Sequence, residues 1–403
     1  VANNILTIDM ITRKALQILE NNLVLTRNVN RQYDDSFAVE GAKIGSTLRI
    51  RLPDRALVTD GAALQVQDDN EQSTTLAVDS QKHIGVNFTS AELTMQLDDF
   101  AERVLKPRVS QLAAAIDADV ANSYKQIYSS VGTPGTTPGT SLVLLQAQQK
   151  LNENAAGMSP RYATVNPAAN AGLVEGLKGL FNPGDVISKQ FKNGMMGTGV
   201  LGYDEINMSQ SIASHTTGVT PTAPIVAAGS TFSQGATSIN ITFTSGSPTF
   251  KVGDVFTIAN VFAVNPQTRQ STGALQQFTV TADVSVSAGT SATLSVSPAI
   301  FTSANALATV NAFPAASAAL TFLGGSATGY AQNLVYHKDA ITFATADLLL
   351  PQGVDMASRQ VHNGISMRIV RQYDINNDRM PCRIDVLYGY KVIRPAMACR
   401  IWG

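Results

Sequence analysis

The stretch Arg108-Val-Ser-Gln-Leu-Ala-Ala-Ala-Ile-Asp-Ala-Asp-Val-Ala-Asn-Ser-Tyr-Lys-Gln-Ile-Tyr128 repeats apolar residues at Leu112, Ile116, Val120, Tyr124 and Ile127. That is the three-to-four-residue spacing of one helix face, and it predicts a helix roughly 30 Å long. Pro107, just before it, removes a backbone donor, so a break or kink is expected near Lys106. Upstream, Thr89 and Glu92 fit a capping box, and Leu93, Leu97, Phe100 and Val104 follow at helical spacing. Downstream, Gly132-Thr-Pro-Gly-Thr-Thr-Pro-Gly139 ends the helix in a loop. A further helix over 142–154, a strand over 162–165 and a helical piece opened by Pro167 come next.

A second feature is compositional. From Ser211 to His337 run 127 residues with four charges, Lys251, Asp254, Arg269 and Asp283, while the other 276 residues carry 55. In Ser238-Ile-Asn-Ile-Thr-Phe243 the apolar Ile239, Ile241 and Phe243 fall on one side of a strand. The runs 254–258, 277–280, 293–296 and 319–323 read the same way, and Gly246-Ser-Pro248 and Lys251-Val-Gly-Asp254 supply turns. So many short strands predict a small β-barrel or sandwich. A loose Ser/Thr-rich linker would not repeat the alternation so often. The four charges are candidates for a pair inside this domain or toward a neighbour, and Asp254 is equally a turn residue.

The flanks differ. Over 4–22, Ile8, Ile11, Ala15, Ile18 and Leu19 share one face of an amphipathic helix. A strand over 47–52 leads through a turn-rich 54–62 into further β pattern at 63–71, 73–78 and 84–88, with Asp68-Asp-Asn-Glu71 as a polar tip. A long hairpin of this kind buries little by itself and needs its own domain or a neighbouring chain. At the other end, Ile365, Met367 and Ile369 alternate with Ser366, Arg368 and Val370, and Ile384, Val386 and Tyr388 with Arg383, Asp385 and Leu387. Asp374-Ile-Asn-Asn-Asp-Arg379 is the turn between them. Charged sequence thus resumes after the block, as one domain interrupted by another would show.

Chemistry leaves little trace. His83, His215, His337 and His362 form no metal-ligand spacing, and no phosphate loop or nucleophile elbow is present. Gly194-Met-Met-Gly197-Thr-Gly199 lacks the strand, helix and downstream acid of a nucleotide-binding turn and reads as a structural loop. Gly172, Gly176 and Gly179 are spaced for a close-packed helix face. Asp374, Asn376 and Asp378 begin a calcium pattern that Arg379 breaks at the glycine position. Cys382 and Cys399 are expected as buried small hydrophobes rather than a bridge. No enzyme activity, cofactor or metal is expected.

Lys and Arg total 29 against 30 Asp and Glu, a formal charge of -1, without the basic excess of a protein that grips nucleic acid by charge. The first ten residues lack a signal peptide's basic flank and apolar run, and no unbroken apolar stretch is long enough for a bilayer, so cytoplasmic synthesis is expected.

Ala2-Asn-Asn-Ile-Leu-Thr7, Leu97-Asp-Asp-Phe-Ala-Glu-Arg-Val-Leu-Lys-Pro107, Phe191-Lys-Asn-Gly-Met-Met-Gly197, Ser209-Gln-Ser-Ile-Ala-Ser-His-Thr-Thr-Gly218 and Arg371-Gln-Tyr-Asp374 resemble, in this order, the major coat proteins of short-tailed Salmonella-type double-stranded DNA phages. The resemblance implies an α+β chain with the tailed-phage capsid fold of the Hong Kong phage 97 type and an inserted all-β, barrel-like domain. It implies an N-terminal arm (1–35), an extended loop (36–88), a peripheral domain with a spine helix (89–134) and an axial domain (135–220). The inserted β domain (221–335) and C-terminal strands (336–403) that complete the core follow.

Such a protein is expected to build an icosahedral shell from hexamers and pentamers of itself. A scaffolding protein, a portal protein and encapsidated double-stranded DNA bound without sequence specificity are its implied partners, with no membrane. The expected place is the virion capsid, after synthesis and assembly in the host cytoplasm. Arg49, Arg51, Asp54, Arg55, Asp68, Asp69 and Glu71 are candidates for charge pairs between subunits, which set orientation more than affinity. Pro107, Gly194, Gly197 and Gly199 are candidate hinges for shell expansion. A decoration or tail protein, or a surface adhesin with a β-sandwich module, is the alternative.

Overall fold

The computed structural model describes residues 8–31, 47–53, 55–56, 58, 61–62, 66, 72–88, 101–176, 197–287, 289–375 and 379–403. They form two compact units, the first from 1–51, 73–120 and 341–391 and the second from 52–72, 121–340 and 392–403.

In the first unit the helix Ile8–Asn22 buries Ala15 and Leu19 of the face its apolar spacing predicts, with Ile11 and Ile18 half-buried, and also buries Thr12 and Leu16 beside that face. Asp9 accepts Ser358 Oγ at 2.5 Å and Glu20 accepts Asn363 Nδ2 at 2.6 Å, tying the helix to the strand Met356–His362 and the turn after it. That strand is the edge of an antiparallel sheet in which Ile365–Arg371 and Met380–Val392 follow, and Ser80–Phe88 pairs with Met380–Val392 from Met380↔Phe88 to Tyr388↔Ser80. The hairpin Thr47–Arg51 with Ser73–Ala77 turns Leu48, Ile50 and Leu76 toward Ala344, Leu348 and Leu387. Its alternation leaves Arg49 and Arg51 exposed.

The spine helix differs from its sequence reading at both ends. A π-helical segment, Ala101–Leu105, runs into the α-helix Lys106–Ala121, so the chain is helical on both sides of Lys106 and changes helix type there, beside Pro107, which has no N–H to give the preceding turn. The α-helix stops at Ala121, short of the expected Tyr128, and tightens into a 3₁₀ segment, Asn122–Gln126. Within the helix Asp117 is buried, and its carboxylate accepts Val24 N (2.6 Å), Thr26 N (2.9 Å) and Thr26 Oγ1 (2.6 Å). The helix expected over 93–104 and the strand over 63–71 fall wholly or mostly outside the described residues.

The second unit is built on a sheet ordered Ser130–Val131, Ala398–Trp402, Gly329–His337, Arg161–Val165, Tyr203–Met208, Gly197–Val200, with Ser214–Thr216 also on Gly329–His337. Helices Ser141–Glu153 and Pro167–Gly176 cover one face, where Leu144, Leu151 and Leu173 meet Val335, Cys399 and Ile401. The glycine face expected at Gly172, Gly176 and Gly179 is explained at its first two positions, where a Cβ on Gly172 would lie 2.7 Å from Pro138 O and one on Gly176 would strike Gly139 O; Gly179 lies outside the described residues. Cys382 and Cys399 are both buried and free.

The charge-poor block is a closed barrel. Six antiparallel strands run in the order Leu320–Phe322, Val255–Val264, Ser271–Val280, Ser291–Ile300, Ala236–Thr242, Ile225–Val226. Val226 N then donates to Ala318 O and Leu320 N to Pro224 O, both at 2.9 Å, joining the last strand to the first. Closure removes both free edges. Ile239, Ile241, Phe256, Phe278 and Leu294 are fully buried inside, with Phe256 5.8 Å from Phe278 and 5.2 Å from Phe322. The alternate outward positions carry short polar side chains, as at the exposed Ser238 and Asn240 on either side of Ile239.

Candidate functional site

Within the second unit, a buried polar hub joins the barrel to the sheet. His215, on the strand Ser214–Thr216, and Asp254, just before the barrel strand Val255–Val264, are 2% and 4% exposed. His215 Nε2 lies 2.8 Å from Asp254 Oδ1, and Tyr124 OH lies 3.1 Å from His215 Nδ1. Burial pushes the Tyr124 phenol up to about 12, with Asp254 adding to the rise and Arg400 opposing it. The Asp254 carboxylate only accepts, so His215 Nε2 carries a proton toward it, and Nδ1 shares a hydrogen bond with the Tyr124 hydroxyl. Asp254 also accepts Lys251 N at 2.8 Å and Gly218 N at 3.2 Å, so both carboxylate oxygens are engaged.

Arg400 completes the hub. It is fully buried on the strand Ala398–Trp402, donates from Nη1 to Gly253 O at 2.8 Å, and lies 5.8 Å from the Tyr124 ring centre and 5.6 Å from that of Trp402. Burial pulls its guanidinium down to about 10, against the opposing pull of Tyr124, Cys399 and Asp254. Trp402 packs with Val255, Tyr330 and Leu323 on the apolar side.

Two further contacts fix the barrel. Gln277 accepts Ser130 N at 2.7 Å and donates to Ser130 O at 3.0 Å, imitating a strand on the edge of Ser130–Val131. Asn265 Nδ2 donates at 2.8 Å to Glu153 O, a carbonyl left open at a helix C-terminus. Together these groups hold one domain on another. Among the described residues, no group of three or more His, Cys, Asp or Glu side chains is placed to hold a metal ion.

The residues singled out by sequence are scattered. Arg49 Nε donates to Ser73 Oγ at 2.9 Å, and Arg51 ends the same strand. Arg55 is exposed and lines a cavity of about 670 Å³ with Tyr128, Gln276, Phe301 and Arg394. Asp54, Asp68, Asp69, Glu71 and Gly194 lie outside the described residues. Of the four block charges, Asp254 is the buried hub acid; Lys251 is exposed, Asp283 accepts Val252 N at 2.7 Å, and Arg269 takes a turn conformation at φ 55°. Gly197 and Gly199 fall in the strand Gly197–Val200, and Gly199 has φ +67° with open space at its Cβ position.

Sequence reading missed Tyr124 as a polar group, His215, Arg400 and Trp402. Arg400 carried a signal: it stands in Ala398-Cys-Arg-Ile-Trp402, a run apolar at every other position, where a strand buried on both faces would have to bury the cation.

Among solved structures, the chain is similar to one from Mycobacterium phage Che8 (11% identity, TM-score 0.46, covering 94% of this chain and 90% of that one). It is also similar to the capsid of Ralstonia phage GP4 (8%, 0.42, 93% and 86%) and the capsid of cyanophage P-SCSP1u (12%, 0.40, 90% and 84%). No curated protein sequence matches it. The family profile for P22 coat protein, gene protein 5, matches residues 1–403, the entire sequence. The chain therefore belongs to the P22 coat protein family, and is a major capsid protein that forms an icosahedral phage shell.

Proposed function

We propose that this subunit assembles as hexamers and pentamers around an internal scaffolding protein, into a procapsid that expands when double-stranded DNA is packaged through a portal. Membership of the coat protein family along the whole chain carries this reading. The near balance of 29 basic and 30 acidic residues supports enclosure of DNA over a sequence-specific grip. Synthesis in the host cytoplasm fits an assembly of that kind. Among the described residues no helix is long and apolar enough to cross a membrane. Mixing purified subunits with and without the scaffolding protein, and following assembly by light scattering, tests the scaffold requirement. Uniform closed shells are expected only with scaffold; equally uniform shells in its absence would remove that part of the proposal.

The charges of the extended loop are assigned to pairs between subunits: Arg49, Arg51, Asp54, Arg55, Asp68, Asp69 and Glu71. Repeated symmetric contacts need such orienting pairs more than they need a large adhesive patch. Arg55→Glu is expected to lower particle yield or the melting temperature of the shell, and unchanged values would take Arg55 out of this group. Pro107 and the segment from Gly194 to Gly199 are assigned to domain reorientation on expansion. Superposable local backbones in procapsid and expanded shells would withdraw them.

A further inference from the structure

Strand register places five buried polar atoms on one face of the second unit's sheet. Arg400 pairs with Leu334 on one side and Ser130 on the other, and Trp402 pairs with Gln332. Paired residues project to the same face of a sheet, and so do positions i and i+2 of one strand. Ser130, Arg400, Trp402 and Gln332 therefore share the face that carries Tyr124 and the barrel's Gly253 and Val255.

On that face Arg400 Nε and Nη2, Trp402 Nε1, Ser130 Oγ and Gln332 Oε1 are buried without a protein hydrogen-bond partner. The residues are 0 to 4% exposed. The Asp254 oxygens accept from His215 Nε2, Gly218 N and Lys251 N, and Arg400 Nε and Nη2 make no hydrogen bond to them. Buried polar groups in folded proteins are almost always paired, and those left unpaired by protein atoms are commonly bridged by internal water.

We propose that this face binds internal water, linking Trp402 Nε1 and the Arg400 guanidinium to Gln332 Oε1 and Ser130 Oγ, so that the barrel is seated on the sheet through a hydrated layer. The chemistry selects water over an anion. Three of the open positions are donors on Arg400 and Trp402, Gln332 Oε1 only accepts, and the Ser130 hydroxyl does either. A water molecule accepts from the first group and donates to Gln332, whereas an anion would be repelled by the Gln332 oxygen and by Asp254.

Trp402 is the single tryptophan of the chain, so its indole N–H reports on this site alone. Ultraviolet resonance Raman spectra of assembled shells are expected to show a hydrogen-bonded indole N–H. In Gln332→Leu shells, where the acceptor is replaced at similar bulk, the band is expected to move toward its unbonded position. A cryo-electron map fine enough to show solvent keeps the proposal testable should that variant fail to fold. It is expected to place a peak within hydrogen-bond distance of Trp402 Nε1 or Arg400 Nη2 and also of Gln332 Oε1 or Ser130 Oγ. The proposal is overturned by an unbonded N–H in the unaltered protein, by a band unchanged in Gln332→Leu, or by Trp402 Nε1 in direct contact with Gln332. A peak that strengthens when bromide replaces chloride would overturn it as well.

Discussion

His215 Nε2 and Asp254 Oδ1 are 2.8 Å apart although 39 positions separate the two residues, and the pair closes the point where the chain leaves the sheet and begins the barrel. Three donors lose their acceptor if the Asp254 carboxylate is removed: the His215 imidazole and the backbone N–H groups of Gly218 and Lys251. Asp254→Ala is expected to destabilise the subunit by about 3–5 kcal/mol, because each buried donor left without its acceptor costs about 1–3 kcal/mol. Urea unfolding of unassembled subunits measures it, and a loss under about 1 kcal/mol would mean that the hub is not what holds the barrel.

Gly172 tests a competition between two effects. In a helix, alanine is favoured over glycine by roughly 0.5–1 kcal/mol. Here the added Cβ would sit 2.7 Å from Pro138 O, a backbone atom that moves only with its loop. Sterics are expected to win, with Gly172→Ala losing about 1–3 kcal/mol. A stabilised variant would show that the loop 132–139 is not packed against this helix as described.

The barrel core makes a simpler prediction. Phe278 is fully buried and stacks on Phe256 at 5.8 Å. Phe278→Ala is expected to cost about 3–5 kcal/mol in denaturant unfolding. Thr293, exposed on the outer surface of the same barrel, is expected to tolerate alanine within about 0.5 kcal/mol.

These two barrel positions show how much could be read in advance. The alternation of Ile239, Ile241 and Phe243 gave away a strand with one buried face, because a pleated strand has a period of two. Closure was not readable: it depends on Val226 meeting Ala318, residues at opposite ends of the block, and no local pattern records a pairing so distant in sequence. The spine helix was legible from Leu112 to Val120, but its early end was not. Beyond Ala121 the chain tightens, Ile127 N donates to Tyr124 O at 3.0 Å, and Tyr124 is committed to His215. Helical spacing marks Tyr124 as apolar, and only the tertiary structure gives its hydroxyl a role. His215 had no sequence signal at all, since a histidine in a Thr/Ser-rich stretch carries no period.

Alkaline pH should weaken the folded subunit. Burial raises the Cys382 and Cys399 thiols from 9.0, and the Tyr124 and Tyr128 phenols from 10.0, each to about 12. A group whose value is raised on folding contributes fully below its unfolded value and loses that contribution as pH climbs through the folded one. Arg400 works the other way, because its value falls from 12.5 to about 10 and the folded state gains relative stability above that pH. Burial also raises the Tyr203, Tyr388 and Tyr390 phenols and lowers the Arg161 guanidinium, so seven groups outweigh two, and the urea midpoint is expected to fall steadily from about pH 9 to about pH 12. The slope is expected to be shallower in Cys399→Ala. A midpoint that rises over this window would contradict the burial of these groups.

Shell formation is tested most directly by electron microscopy of the protein co-expressed with the scaffolding protein of its phage. Closed icosahedral particles of capsid dimensions are the predicted result. Monodisperse small oligomers, with no closed particles in any preparation, would contradict it.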